Sequence, residues 1–502
     1  MIHHLDELRR GFEISTDVVI VGSGPGGAVA AANLARAGLR TVILEAGPML
    51  TPTDMTRNAP MFMARNFWDG GARFIAGDAQ IPSLQGRCLG GSSVVNSAIM
   101  MRLPDYVRRQ WIEDDGLDYL GTDVLDRAYD RVFSRLSVAP TPLEVQGRRN
   151  LLVRDALTAV GIPNGPLPRA VAGCEGSNDC ITGCAGSKKQ SVDRTYVADA
   201  VTDGAEVFTC SQVERIMVEG GKAVGVAGFV IDPKGLRRLA SFVVRAPRVV
   251  IAAGAAQTPA LLQYNGIDAG GAVGASFHAH LGMGMLGHFN EVVDPWLGAT
   301  QGWGGLSADK PGVKFEALWA PPSLLFAAYG DIGEQFYTDL TEVKHVSVLA
   351  LVYRAKVTGS VRPNAQGAPK MKMYIPQSEI RAALDAAKIA VNGIFEIGAK
   401  GVTLGISRMK KRIDKREDAL SALDQKWAPR DVTMTANHIF GSVPMSRDRR
   451  RGAVDMEGRL KGIENLWIAD ASLFPSPSGV NPQATVMALS DIVSRRMAEL
   501  PA

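Results

Sequence analysis

A chain of 502 residues exceeds the size at which one hydrophobic core stops growing, so at least two structural regions are expected. Its composition, 46% hydrophobic with 21% charged residues, is that of an ordinary folded protein and excludes extended disorder. The net charge of +4, with bases scattered among acids, excludes the basic footprint of a nucleic-acid binder, and no window reaches the roughly 18 consecutive apolar residues of a transmembrane segment.

The first ten residues carry acids where a secretory signal needs a clean basic region. The expected compartment is therefore the cytoplasm, with the periplasm reached only by export beside a signal-bearing partner. Asp17-Val-Val-Ile-Val21 reads as a buried parallel strand, Gly22-Ser-Gly-Pro-Gly-Gly27 as a turn, and the alanine-rich run from Ala28 to Ala37 as a helix. This order places a helix N-terminus against a pyrophosphate. Gly22 permits the turn, Gly24 lets the backbone approach the phosphates, and Gly27 lets the helix lie close to the sheet. The next strand, Arg40-Thr-Val-Ile-Leu-Glu45, ends in an acid where the adenosine ribose is commonly held, which favours NAD or FAD over NADP.

Arg87-Cys-Leu-Gly-Gly-Ser-Ser-Val-Val-Asn96 concentrates Gly90, Gly91, Ser92 and Asn96 in one segment, suited to contact a flavin or pyrophosphate; an ordinary helix cap at Ser92 or Ser93 is the plainer reading. Farther on, Cys174, Cys180 and Cys184 are spaced C-x5-C-x3-C among glycines. A disulfide disagrees with a cytosolic setting, and zinc would want a fourth ligand. Three thiolates suit a three-iron cluster with one empty corner, and structural thiols are the rival reading. Cys88 and Cys210 read as core residues.

The stretch from Ala205 to Phe229 reads as short strands joined by a tight turn, in which the Val213 backbone either meets an adenine edge or simply builds the strand. Arg248-Val-Val-Ile-Ala-Ala-Gly254 is a further buried strand entering a glycine turn, completing the sheet begun at residue 17. Between 275 and 430, alternating runs at Lys344–Tyr353 and Lys370–Ile375 predict a strand-rich region, followed by helices near 377–397 and 413–426. His345 reads as a strand side chain, and His278, His280 and His288 as a loose cluster whose side chains point different ways. The apolar run from Phe315 to Tyr329 either lines a hydrophobic channel or packs a helix. The basic run Arg447, Arg449, Arg450 and Arg451 reads as a solvated loop face or a modest docking surface. Asn465-Leu-Trp-Ile-Ala-Asp470 is a strand ending in an acid at the ligand-gathering edge, where Asp470 would hold the ribityl or pyrophosphate region. The loop through Asn481 and Pro482 then enters the last helix.

Gly22–Gly27, Gly90–Asn96, Gly254–Leu262, Asn437-His-Ile-Phe-Gly441 and Asp470–Pro482 together resemble, in order, the glucose-methanol-choline (GMC) oxidoreductase family. The resemblance implies an α/β fold with a Rossmann-type FAD-binding domain assembled from discontinuous segments, and a second, antiparallel-sheet substrate domain. The expected division is 1–110 and 190–275 for FAD binding, 111–189 for a connecting region with the cysteines, 276–430 for substrate, and 431–502 for FAD and catalysis. It also implies that His438 and Asn481 face the flavin. Imidazole is a suitable base for a hydroxyl proton near neutral pH, while an amide can hold the substrate oxygen but cannot act as a base.

The cysteine spacing is similar to the segment that holds a [3Fe-4S] cluster in FAD-dependent sugar dehydrogenases, with Cys174, Cys180 and Cys184 as ligands. A related segment in long-chain alcohol oxidases need not imply one. The expected activity is oxidation of a small-molecule alcohol, preferably a hydrophobic one, by a dehydrogenase that passes electrons through the cluster to an acceptor protein or small partner subunit. The alternative is an oxidase that uses oxygen directly and keeps its cysteines for structure.

Overall fold

Four consecutive apolar residues with no polar alternation make a strand that water can reach on neither face, and Val18–Val21 is buried at every position. In a computed structural model of the chain, which describes residues 1–318, 323, 325–326, 332–407, 409, 412–448 and 450–500, this strand lies inside a six-stranded sheet. The order is Ile2–His3, Glu206–Phe208, Thr41–Leu44, Val18–Val21, Val249–Ile251 and Leu466–Ile468, and every neighbouring pair is parallel. Helices Pro25–Arg36 and Gln483–Met497 pack on each other within the same core. The close fit of Pro25–Arg36 against the strand ends depends on missing side chains. A Cβ at Gly26 would lie 1.9 Å from the Ala469 carbonyl oxygen, and one at Gly27 would lie 2.1 Å from that of Gly22. This is the α/β, Rossmann-type architecture expected from the strand, turn and helix pattern.

A second sheet is built from Ser211–Glu219, Lys222–Ile231 and Arg238–Arg245 in antiparallel succession, closed by a parallel pairing with Phe12–Ser15. A third has six strands in the order Gly401–Thr403, Leu281–His288, Val346–Tyr353, Val313–Leu318, Trp303–Leu306 and Asn164–Pro166, all pairings antiparallel. Helices Gln377–Glu396 and Gly147–Ala159 cover it with apolar side chains and form the second large core. His345 is not in the strand; it ends the 3-10 turn that leads into it, with Nδ1 against the Glu291 carbonyl.

Phe315 and Ala317 face the core of the third sheet, whereas residues 319–322, 324 and 327–329 of the apolar run lie outside the described residues. Arg449 lies outside them too. Its neighbours Arg447 and Arg451 are exposed and pair with Asp118 and Asp115. Among the described residues, no helix is long and apolar enough to cross a membrane.

Candidate active site

The C-terminal ends of the parallel strands converge on a cavity of ≈ 450 Å³, whose wall includes Gly22, Gly24, Glu45, Gly254 and Asp470 from the strand ends together with Thr300, Gln301 and Leu318 from the antiparallel side. Helix Pro25–Arg36 starts at this wall with Gly24 as its N-cap and no side chain capping it. A Cβ at Gly24 would meet no atom within 4 Å, and one at Gly91 would come within 3.0 Å of the Gly24 Cα. Uncapped N–H groups beside open space, hemmed by glycines, fit an anionic group such as the pyrophosphate of FAD.

Glu45 is buried and holds this cradle in shape. One carboxylate oxygen accepts from the Ser23 amide at 3.1 Å and hydroxyl at 2.6 Å, the other from the Gly47 amide at 2.8 Å. Ser23 Oγ in turn accepts from the Gly90 amide at 3.0 Å, so three loops meet at one hydroxyl. Burial raises the Glu45 pKa, and these donors counter part of that rise.

Ser92, Asn96, Val213 and Pro482 also line the cavity, while Gly27 and Gly90 stand behind it. Asn96 donates to Gln483 Oε1 at 2.5 Å, and Val213 sits at a bulge in its hairpin. Asp470 is placed at the wall, but its carboxylate already accepts from the Gly254 amide, Thr258 hydroxyl, and both the amide and hydroxyl of Ser472. It pins the turn after one strand to the end of another.

On the opposite wall, the short antiparallel pair of His278–Ala279 with Ile439–Phe440 brings His280 beside His438, with the His280 amide donating to the His438 carbonyl at 3.0 Å. The two Nδ1 atoms are 3.3 Å apart, and His280 Nε2 accepts from the Gly479 amide at 3.0 Å. Asn481 Nδ2 lies 3.3 Å from His438 Nε2. Behind Asn481, Lys314 donates both to its Oδ1 and to Glu316, whose other oxygen accepts from Gln301 at 2.7 Å.

Desolvation and the Lys314 charge push the His438 pKa down to about 4, against an opposing pull from Glu316. Desolvation, with the neighbouring His438, lowers the His280 pKa well below its ordinary value. For Glu316, burial acts upward but the Lys314 ammonium more than offsets it, so the carboxyl sits below its ordinary range. His438 and Asn481 lie side by side in the cavity wall. Ser23, Gln301, Lys314 and Glu316 were not read from the sequence, and His280 was read only as one of a loose cluster of histidines. The K-x-E alternation in Val313–Leu318 was the available signal, since it puts two charges on one face of an otherwise apolar strand.

The cysteines depart from the expected ligand set. All three are free thiols, and among the described residues no three His, Cys, Asp or Glu side chains converge on a metal position. The Arg169 guanidinium stands against two of them, 3.9 Å from Cys174 Sγ and 3.2 Å from Cys180 Sγ. Burial acts to raise the Cys180 pKa, yet Arg169 and Lys189 outweigh it and lower the thiol. The arrangement of Cys174, Cys180 and Cys184 therefore gives no support to the expected [3Fe-4S] cluster. Lys189 instead ties the segment to the glycine-rich loop, donating to the carbonyls of Val94, Asn96 and Cys180 at 2.6–2.8 Å.

A glycine-built dinucleotide cradle facing a histidine and an amide defines a flavin oxidoreductase site. Comparison with known proteins agrees: residues 17–282 and 354–490 match the GMC oxidoreductase family. An uncharacterized GMC-type oxidoreductase of Mycobacterium tuberculosis is 32% identical over 94% of this chain and 74% of its own length. A long-chain-alcohol oxidase of Arabidopsis thaliana is 26% identical over 99% of this chain and 69% of its own. The crystal structure of pyridoxine 4-oxidase from Mesorbium loti superposes with a TM-score of 0.71 at 19% identity, covering 97% of this chain and all of that one. The chain belongs to the GMC oxidoreductase family, and FAD is its cofactor.

Proposed function

We propose that the protein oxidises the CH–OH group of an alcohol, with His438 as the base and Asn481 as the group that holds the substrate oxygen. The observation that carries this reading is the His438–Asn481 pair in the wall of a cavity whose other end is the glycine cradle. Gly22, Gly24, Gly91, Ser92 and Asn96 would hold the dinucleotide, with Glu45 and Asp470 shaping the turns that carry them. FAD, when bound, supplies the acceptor for the hydride that leaves the carbinol carbon. Neutral His438 takes the hydroxyl proton at Nε2 as the O–H bond breaks, and the Asn481 amide keeps that oxygen in line. Phe67, Leu84, Val95, Ile99, Ile181 and Leu318 give the cavity an apolar wall, which supports a hydrophobic alcohol; the long-chain-alcohol oxidase name of several relatives points the same way.

Molecular oxygen is the acceptor we favour, giving a carbonyl product and hydrogen peroxide, because the guanidinium beside Cys174 and Cys180 argues for thiols that serve structure. The test is anaerobic mixing of the FAD-loaded protein with primary alcohols from 1-hexanol to 1-hexadecanol, followed by oxygen uptake, peroxide and iron assays. Bleaching of the flavin, stoichiometric peroxide and an iron-free protein are expected. Flavin that no alcohol bleaches would overturn the substrate class. About three irons per chain with reoxidation only by an added acceptor would overturn the oxidase reading and restore a [3Fe-4S] relay.

A further inference from the structure

We propose that Lys314 is a positioning residue that fixes the direction of the Asn481 amide, making Asn481 a hydrogen-bond donor to the reacting oxygen and leaving His438 Nε2 free to take the proton. The inference rests on the alcohol-oxidising reading above and adds to it a residue outside the histidine and amide pair.

The Lys314 side chain is wholly buried, and an ammonium can only donate. Its partners are Glu316 and Asn481 Oδ1. An amide turned the other way would set two donors against each other in a buried site, at the cost of an unsatisfied polar group. Asn481 therefore turns its oxygen to Lys314 and its Nδ2 to His438 Nε2. With the Asn481 N–H facing Nε2, neutral His438 keeps its single proton on Nδ1, on the side of His280, and its lone pair on Nε2.

The Asn481 N–H disfavours a second proton at His438 Nε2 before substrate arrives, and an alcohol oxygen completes the arrangement. Entering between Asn481 and His438, the hydroxyl accepts from the amide and donates to the imidazole. As the O–H bond breaks, the negative charge growing on oxygen meets an amide dipole whose other end rests on the Lys314 ammonium, a pre-aligned stabilisation that costs no reorganisation during reaction. Glu316, held by Gln301, neutralises the buried cation and keeps it in place. Without Lys314 the amide is free to invert. Its oxygen would then draw a proton to His438 Nε2 and remove the lone pair that the reaction needs.

The experiment is a cycle of Lys314→Met, Asn481→Ala and the double variant in the FAD-loaded protein, with Lys314→Met/Glu316→Gln as a companion that leaves no unpaired buried charge should the single variant fold poorly. Anaerobic flavin reduction by the primary-alcohol series is read beside atomic-resolution crystal structures of the wild type and the lysine variants. The expected result is a slowing of about ten-fold or more for Lys314→Met, and less than about two-fold further loss when it is added to Asn481→Ala, because the lysine acts through the amide. In the crystals, Nδ2 faces His438 in the wild type and Oδ1 faces it in the lysine variants. Losses that multiply independently, or an amide direction unchanged in both lysine variants, overturn the proposal. If no alcohol reduces the wild-type flavin, the substrate reading fails by itself, and the amide direction still decides the role of Lys314.

Discussion

In the proposed role His438 meets a substrate as a neutral imidazole, because desolvation holds its pKa down at about 4 against the pull of Glu316. A base titrates out of action only below its own pKa. The rate of flavin reduction is therefore expected to stay level as pH falls from 8 through 6.5, with its acid limb well below the ordinary imidazole value; a limb centred at 6.5 in anaerobic stopped-flow traces would show that His438 is not so depressed. His438→Ala should retain FAD and slow reduction by about 10²–10⁴-fold, the usual worth of a general base, and wild-type rates would remove it from that role. The same depression has a stability consequence. The unfolded histidines take a proton near pH 6.5 that native His280 and His438 refuse, so this contribution is whole above that pH and is lost as pH falls toward 4. Urea midpoints measured at pH 7 and pH 5 should fall accordingly. Of this site the sequence showed the two residues that sit in local motifs. Lys314 lies 167 positions from Asn481, and His280 158 from His438, so only the pairing of distant strands reveals that they touch.

Helix Pro25–Arg36 separates two uses of glycine that look alike in the sequence. At Gly27 a side chain would strike the Gly22 carbonyl at 2.1 Å, whereas at Gly24 it would point into empty space at the cavity wall. Gly27→Val is expected to lower thermal stability by the equivalent of about 1–3 kcal/mol or more, as overpacking does. Gly24→Phe should leave the melting temperature of the flavin-free protein near wild type while cutting the flavin-to-protein absorbance ratio. The reverse pattern would exchange the two assignments. The parallel strands were legible because unbroken apolar runs can only be buried on both faces. Asp470 shows where such reading stops. Its place at a strand end was visible, but its four donors come from two separate turns, Gly254–Thr258 and Ser472, and no local pattern announces that an acid is already engaged.

Across the whole molecule, the excursion between the first and second parts of the parallel sheet is fastened back onto the cavity by two buried cations. Arg169 donates to the Ser97 carbonyl while its Nη atoms face Cys174 and Cys180, and Lys189 holds the carbonyls of Val94, Asn96 and Cys180. The spacing of the thiols invited a metal reading because sulfur is the conspicuous chemistry there, yet it is the bases flanking the motif that join it to the glycine-rich loop. Lys189→Met would leave the Val94 and Asn96 carbonyls with no donor and the Cys180 carbonyl with only the Gly183 amide, a loss of about 1–3 kcal/mol for each orphaned carbonyl that water cannot reach. Faster hydrogen exchange is then expected in residues 91–97 and 174–188 together, with a lower melting temperature and weaker FAD retention. Replacing Cys174, Cys180 and Cys184 by serine leaves Lys189 and its carbonyl bonds in place, and should keep both the flavin and the protection of residues 91–97. If the serine variant sheds flavin while Lys189→Met keeps it, the thiols rather than the cation hold the two halves of the site together, and the iron-binding reading of the cysteines would regain its footing.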